Sequence, residues 1–164
     1  MRIGWREWLA LPDLEIHAVK AKIDTGARSS TLHAFDVERF ERKGEAWVRF
    51  KVHPAQRSTA STVSTEARLH DERWIRDSGG REHLRPVILT TIELDGKRWP
   101  IEVTLMNRDA MGFRMLLGRQ AIRGRFVVDA GRSYLTGRPD AAPTRVGGKR
   151  APARRTTKKG TRDT

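Results

Sequence analysis

The sequence predicts an all-β domain, a small closed barrel or sandwich with one short helix after Gly118. Three observations lead there. Apolar and polar residues alternate in several short segments, the period of half-buried strands. An Asp95-Gly96 pair sits between two such segments at hairpin spacing. The intervals between segments are short and leave room for little helix.

In chain order, Val19, Ala21 and Ile23 alternate with Lys20 and Lys22, so a half-buried strand runs straight into Asp24. From Trp47 to His53, Val48, Phe50 and Val52 share one face while Arg49 and Lys51 share the other. Between Arg57 and Glu82 the pattern weakens: Ser58 to Thr65 is β-prone but poorly patterned, and Asp77-Ser78-Gly79-Gly80 reads as a mobile turn. Ile88, Thr90, Ile92 and Leu94 then alternate up to Asp95-Gly96, and Trp99, Ile101, Val103 and Leu105 continue the period beyond it. Both turn residues tolerate the positive φ that a two-residue hairpin needs. Pro100 places its strand near a sheet edge or a bulge, because proline donates no ladder hydrogen bond. Met115-Leu116-Leu117-Gly118 predicts a buried strand, followed by one or two helical turns from Arg119. Phe126-Val127-Val128 and Ser133-Tyr134-Leu135 are expected to close the body as a hairpin around residues 129–132.

Composition sets the outer limits. The 164 residues suit one domain over 1–138 and a tail over 139–164. From Arg138 to Thr164 nine Lys or Arg face only Asp140 and Asp163, a balance of +7 out of the chain's +13. That stretch has Val146 as its only large aliphatic side chain, too little apolar surface to offset the entropy of ordering it. It is expected to stay disordered and to suit weak contact with RNA, ribosomes or acidic proteins, or simply to aid solubility. The absence of cysteine removes disulfides, thiolate metal sites and cysteine nucleophiles, and makes the cytoplasm the expected compartment. The opening residues show no signal-peptide-like apolar stretch, and no run is long enough to span a bilayer.

The chemistry centres on Asp24-Thr25-Gly26-Ala27. A carboxylate followed by a hydroxyl and a glycine suits a sharp turn in which the acid stays exposed. Gly26 lets its amide approach and donate to that carboxylate. Alone, the string is equally an ordinary β-turn. The later Leu116-Leu117-Gly118-Arg119, with a helix next, gives it a partner in the expected order.

These two segments together resemble the retropepsin-like aspartic proteases. More closely, Gly4-Trp5-Arg6-Glu7-Trp8, Ala21 to Arg28, Leu32-His33-Ala34, Asn107-Arg108-Asp109 and Phe113 to Arg119 are similar to bacterial proteins commonly described as ATP-dependent zinc proteases. That family is associated with ATP-grasp ligases that add glutamate to a ribosomal protein. The likeness covers residues 3–138, the body but not the tail. It implies a retropepsin-type barrel with Asp24 as catalytic carboxylate and Thr25, Gly26, Ala27, Gly118 and Arg119 supporting the catalytic turn. One Asp-Thr-Gly per chain implies a homodimer in which two Asp24 carboxylates share a proton across a two-fold axis. Thr25 would then brace the pair by hydrogen bonding.

One departure from the family pattern is instructive. Viral members follow Asp-Thr-Gly-Ala with a further Asp that pairs with the Arg of Gly-Arg. Here Arg28 stands in that place, so no such pair with Arg119 can form. Arg28 instead becomes a candidate for recognising a substrate carboxylate, as in a glutamate-rich peptide, although plain exposure explains it equally. His33, Ser78 and Gly79 are further candidates for contact with substrate. Either Ser78-Gly79-Gly80 or the preceding Ser/Thr run would be the flap that closes over it. Asp109 is the weaker candidate for an intramolecular partner of Asp24, and the five scattered tryptophans read as core or rim residues.

Neither ATP nor zinc has a local signature. There is no Gly-rich loop ending in Gly-Lys-Ser/Thr and no His-Glu-x-x-His, and the five histidines lie far apart. A site assembled by folding from His33, His53 and Asp24 is the remaining route to zinc. The expectation is therefore a cytoplasmic aspartic peptidase without a cofactor. The alternatives are a zinc hydrolase and a non-catalytic basic module that binds the ribosome or an acidic protein tail.

Overall fold

The structure, a computed structural model, describes residues 1–54, 62–107 and 112–139. Ten strands and one helical turn follow each other along the chain: β1 (Arg2–Leu11), β2 (Ile16–Asp24), β3 (Ser30–His33), β4 (Phe35–Arg42), β5 (Glu45–Val52), β6 (Val63–Arg76), β7 (Glu82–Leu94), β8 (Lys97–Met106), β9 (Met115–Gly118), α1 (Arg119–Ile122) and β10 (Val127–Ser133). A single 3-10 turn, Pro12–Leu14, joins β1 to β2.

Six of the strands close on themselves in the order β1-β2-β9-β3-β8-β7, and the pairing of Ala10 with Glu93 returns β7 to β1. The barrel is mixed: β2 with β9 and β3 with β8 run parallel, and the other barrel pairs are antiparallel. The alternation seen in the sequence explains the interior. Val19, Ala21, Ile23, Ile88, Ile92, Leu94, Val103, Leu105, Met115 and Leu117 are buried and pack in one cluster. At β7–β8 the turn forms as expected, with Asp95 at φ 56° and Gly96 at φ 74°. Pro100 faces Thr91 of β7, whereas β3 joins β8 only from Val103 onward. Proline therefore sits where the strand has one neighbour, the position its missing N–H requires.

β6 outruns the barrel and leads the chain into a second, smaller sheet. Its first half pairs with β5, and its second half pairs with β7 in a long hairpin whose tip is Asp77 to Arg81. β4 and β5 extend this flank outward. The weakly patterned region 57–82 thus supplies one long strand, β6, and the turn into β7, with 55–61 outside the described residues. Its poor pattern has a cause: most of β6 is exposed or half-buried on both faces.

The expected C-terminal hairpin does not form. Residues 127–133 make one strand, β10, parallel to β1, with Gly4 opposite Asp129 and Arg6 opposite Ser133. The turn-prone residues 130–132 are accommodated as a bulge, in which Gly131 N–H donates to Asp129 Oδ1 at 3.0 Å. A side chain at Gly4 would meet the Arg132 carbonyl oxygen at 2.3 Å, so only glycine lets the bulge lie against β1. Beyond it, the buried Glu7 carboxylate accepts from the N–H of Gly4, Leu135 and Thr136 and from the Thr136 hydroxyl. This staples the last described residues to the first strand. The basic tail lies, apart from Pro139, outside the described residues.

Candidate active site

β2 ends at Asp24 and β9 ends at Gly118, and the two residues are direct partners in the parallel ladder. The chain then turns sharply. Ala27 N–H donates to the Asp24 carbonyl at 3.1 Å, and Gly26 N–H donates to Asp24 Oδ1 at the same distance. The carboxylate is thereby oriented by its own turn. Asp24 is half-buried, while Thr25 and Gly26 are exposed.

The Gly118-Arg119 segment locks this turn from behind. Arg119 N–H donates to the Ala27 carbonyl at 2.8 Å, Gln120 N–H to the Arg28 carbonyl at 3.1 Å, and Arg119 Nη1 to the Gly26 carbonyl at 3.2 Å. Gly118 N–H donates to the buried Ser30 hydroxyl at 3.0 Å. A Cβ on Gly118 would lie 2.4 Å from the Ser29 carbonyl oxygen, so the two segments cross in backbone contact. Arg119 thus makes its contact with the turn itself, where Arg28 stands in place of a carboxylate that could pair with it.

Asp24 opens into a cleft of about 480 Å³. Ala27, Ser29, Thr31 and Leu116 form its floor beside Asp24, and Ile75, Arg76, Asp77, Ser78, His83 and Arg85 reach it from the β6–β7 hairpin. Of the two segments considered for a flap, the one at Ser78 lies on this cleft, whereas residues 58–61 of the Ser/Thr run are outside the described residues and Val63, Ser64 and Thr65 begin β6, paired with β5. The hairpin tip is organised by one carboxylate. Asp77 Oδ1 accepts from the N–H of Gly79 and Arg81, and Oδ2 meets His83 Nε2 at 3.1 Å. The His83 contact first, and the backbone donors after it, hold the Asp77 carboxyl below its ordinary value of 3.8.

The other sequence candidates fall out as follows. Arg28 is exposed on the Asp24 turn, and the cationic groups that line the cleft are Arg76 and Arg85, with His83 beside them. Gly79 stands in the hairpin turn next to Ser78. His33 is buried, with its N–H donating to the Arg114 carbonyl at 2.8 Å. His53 packs on Phe35 and shares a hydrogen bond with Thr62. Among the described residues no group of three or more His, Asp or Glu is placed to hold a metal ion, so His33, His53 and Asp24 do not form a zinc site. Asp109 lies outside the described residues. Sequence reasoning passed over Arg76, His83 and Arg85, although His83 and Arg85 already alternate on one face of the strand that leaves the Gly79-Gly80 turn.

A sequence model of the family described as retropepsin-like aspartic endopeptidase RimB matches residues 2–139. The chain belongs to the RimB-like family. Curated relatives agree in sequence: a probable alpha-L-glutamate ligase of Shewanella pealeana is 44% identical over 135 residues, which is 82% of this chain and 30% of that protein. One from Desulfotalea psychrophila is 46% identical over 127 residues, 77% of this chain and 27% of the relative. This RimB-like chain therefore spans less than a third of the curated relatives it matches. Among solved structures, the Legionella pneumophila protein Lpg0085, of unknown function, superposes with a TM-score of 0.69 at 32% identity, covering 82% of this chain and 97% of that one. No helix among the described residues is long and apolar enough to cross a membrane.

Proposed function

We propose that the protein is an aspartic-type peptidase in which Asp24 from two subunits activates a water for amide hydrolysis. The observation that carries this reading is the Asp24 turn itself. It holds a carboxylate at the end of a buried strand, locked by Gly118 and Arg119, at the mouth of a cleft that a hairpin tip overhangs. One such carboxylate per chain supplies half of a dyad. When two carboxylates stand close, one stays protonated, so the ionised member takes a proton from water while the other donates to the scissile carbonyl. Thr25, exposed at the turn, is free to brace the facing copy. The β6–β7 hairpin acts as the flap, excluding bulk water from the bound peptide.

The substrate we assign is a peptide rich in glutamate. Arg85 lines the cleft and Arg28 stands on its turn, offering planar forks to side-chain carboxylates, and Arg76, paired with Glu82, adds positive charge beside them. The name of the curated relatives points the same way, since proteins that contain a stretch like this one are called glutamate ligases. A peptidase acting on glutamate-bearing chains would undo the bond that such a ligase makes. The work of the chain is placed in the cytoplasm, in keeping with its lack of cysteine.

The test is hydrolysis of matched glutamate-rich and neutral peptides by the wild type, Asp24→Asn and Arg28→Ala. Asp24→Asn keeps the shape of the turn and should lower the rate on both peptides by about 10³-fold or more. Arg28→Ala should lower the rate on the acidic peptide selectively. Hydrolysis that survives Asp24→Asn would refute the mechanism, and equal losses in Arg28→Ala would refute the role of that arginine.

A further inference from the structure

The cations of this chain are not treated alike by their surroundings. On the β4–β5–β6 flank, Arg39 pairs with Glu72, Arg42 and Arg49 with Glu66, and Arg68 with Glu45. At the hairpin, Arg73 pairs with Asp71 and Glu102, and Arg76 with Glu82. Around α1 the pattern reverses. Arg28, Arg119, Arg123 and Arg125 are all exposed, and none is paired with a carboxylate among the described residues. They share one corner because the catalytic turn is hydrogen-bonded to the first turn of α1. Arg123 and Arg125 also line an open groove of about 380 Å³, with Ser29 and Gln120 on the other side of it. Arg125 lies over the Trp99 ring, 4.5 Å from its centroid, which fixes the guanidinium in place.

Four guanidinium groups gathered without counter-charges repel one another, and that repulsion is relieved when an anion binds. The geometry points to the phosphate backbone of a nucleic acid as the partner of this corner, and we propose that the folded body docks there. The choice between nucleic acid and acidic protein rests on the shape and lining of the groove. The arginines of this corner follow one another along two hydrogen-bonded segments, Arg28 on the turn and Arg119, Arg123 and Arg125 in and just after α1. The side-chain wall of the groove offers forks and neutral donors, with Leu89 and Pro100 as its main exposed apolar surface, and the carboxylate that also lines it, Glu102, is already paired with Arg73 and His70. Forks and neutral donors suffice for backbone phosphates, and an acidic peptide, which an arginine cluster can also hold, is the alternative that the binding assay separates. The site adjoins the Asp24 cleft, with Ser29 lining both, but Arg123 and Arg125 do not line that cleft.

Fluorescence anisotropy of the full-length protein with a short labelled RNA, the DNA of the same sequence and a labelled oligoglutamate peptide tests this over a range of salt. The paired change Arg123→Glu with Arg125→Glu should weaken nucleic-acid binding about tenfold or more and reduce the salt slope by about two. Oligoglutamate affinity and peptide hydrolysis should be retained, and RNA and DNA should lose affinity alike. Arg123→Gln, which removes a single exposed charge, should weaken binding about two- to threefold and decides the matter if the double variant is unstable. Unchanged nucleic-acid affinity and slope in these variants would overturn the proposal and leave the tail as the carrier. Selective loss of oligoglutamate binding would overturn it in favour of an acidic protein.

Discussion

At the scale of single residues, the catalytic turn depends as much on an absent side chain as on a present one. Asp24 supplies the carboxylate, but Gly118 lets the β9 backbone cross against Ser29 closely enough to hold the turn. Gly118→Ala would press its methyl against backbone atoms, which cannot swing aside as a side chain would. The expected outcome is a loss of stability of at least about 2 kcal/mol in chemical denaturation, with impaired hydrolysis in the fraction still folded. A variant as stable as the wild type would mean the two segments do not cross so tightly. Much of this was legible in the sequence, because Asp24-Thr25-Gly26 and Leu117-Gly118-Arg119 are local strings with local chemistry. Glu7 was not legible as a buried group. Its donors include Leu135 and Thr136, at the far end of the chain, and no local pattern announces a carboxylate satisfied from there. The actual contact of Arg119 escaped for a similar reason: the sequence showed which partner was missing, not that the Gly26 carbonyl would replace it.

At the scale of elements, strands with one buried face were readable and those with two solvated faces were not. β2, β5, β7 and β8 carry their alternation openly, and Asp95-Gly96 fixed one hairpin. β6 carries no such signal, yet with β7 it builds the hairpin over the cleft. β10 was misread because turn-forming residues mark a bend without saying whether the chain reverses or bulges; the neighbour strand β1 decides that. The hairpin tip carries its own prediction. Asp77 has a folded-state pKa below its ordinary value, so its stabilising contribution is complete above that value. It is lost as pH falls from near 3.8 through the folded pKa. Amide hydrogen exchange at Gly79 and Arg81 should therefore lose protection over this acidic range before the barrel strands do. Asp77→Asn should show reduced protection at neutral pH as well. Protection at the tip that is indifferent to acid and to this substitution would show that Asp77 does not organise the turn.

For the whole molecule, the barrel brings the Asp24 carboxylate to one cleft and leaves beside it a corner of arginines that are unpaired among the described residues. Neither the closure by Ala10 and Glu93 nor the gathering of Arg28, Arg119, Arg123 and Arg125 could be foreseen from spacing, since both arise from strand order. The single Asp-Thr-Gly does have a consequence for assembly. If activity belongs to a shared site, a subunit lacking the acid must disable the intact subunit with which it pairs. Hydrolysis should accordingly be measured for a fixed amount of wild type equilibrated with increasing Asp24→Asn protein. A two-chain site predicts that activity falls steadily toward zero as mixed dimers replace intact ones, and that wild-type activity per chain also falls on dilution. Activity per wild-type chain that stays constant in both experiments would mean that one Asp24 suffices, contradicting the shared-carboxylate mechanism.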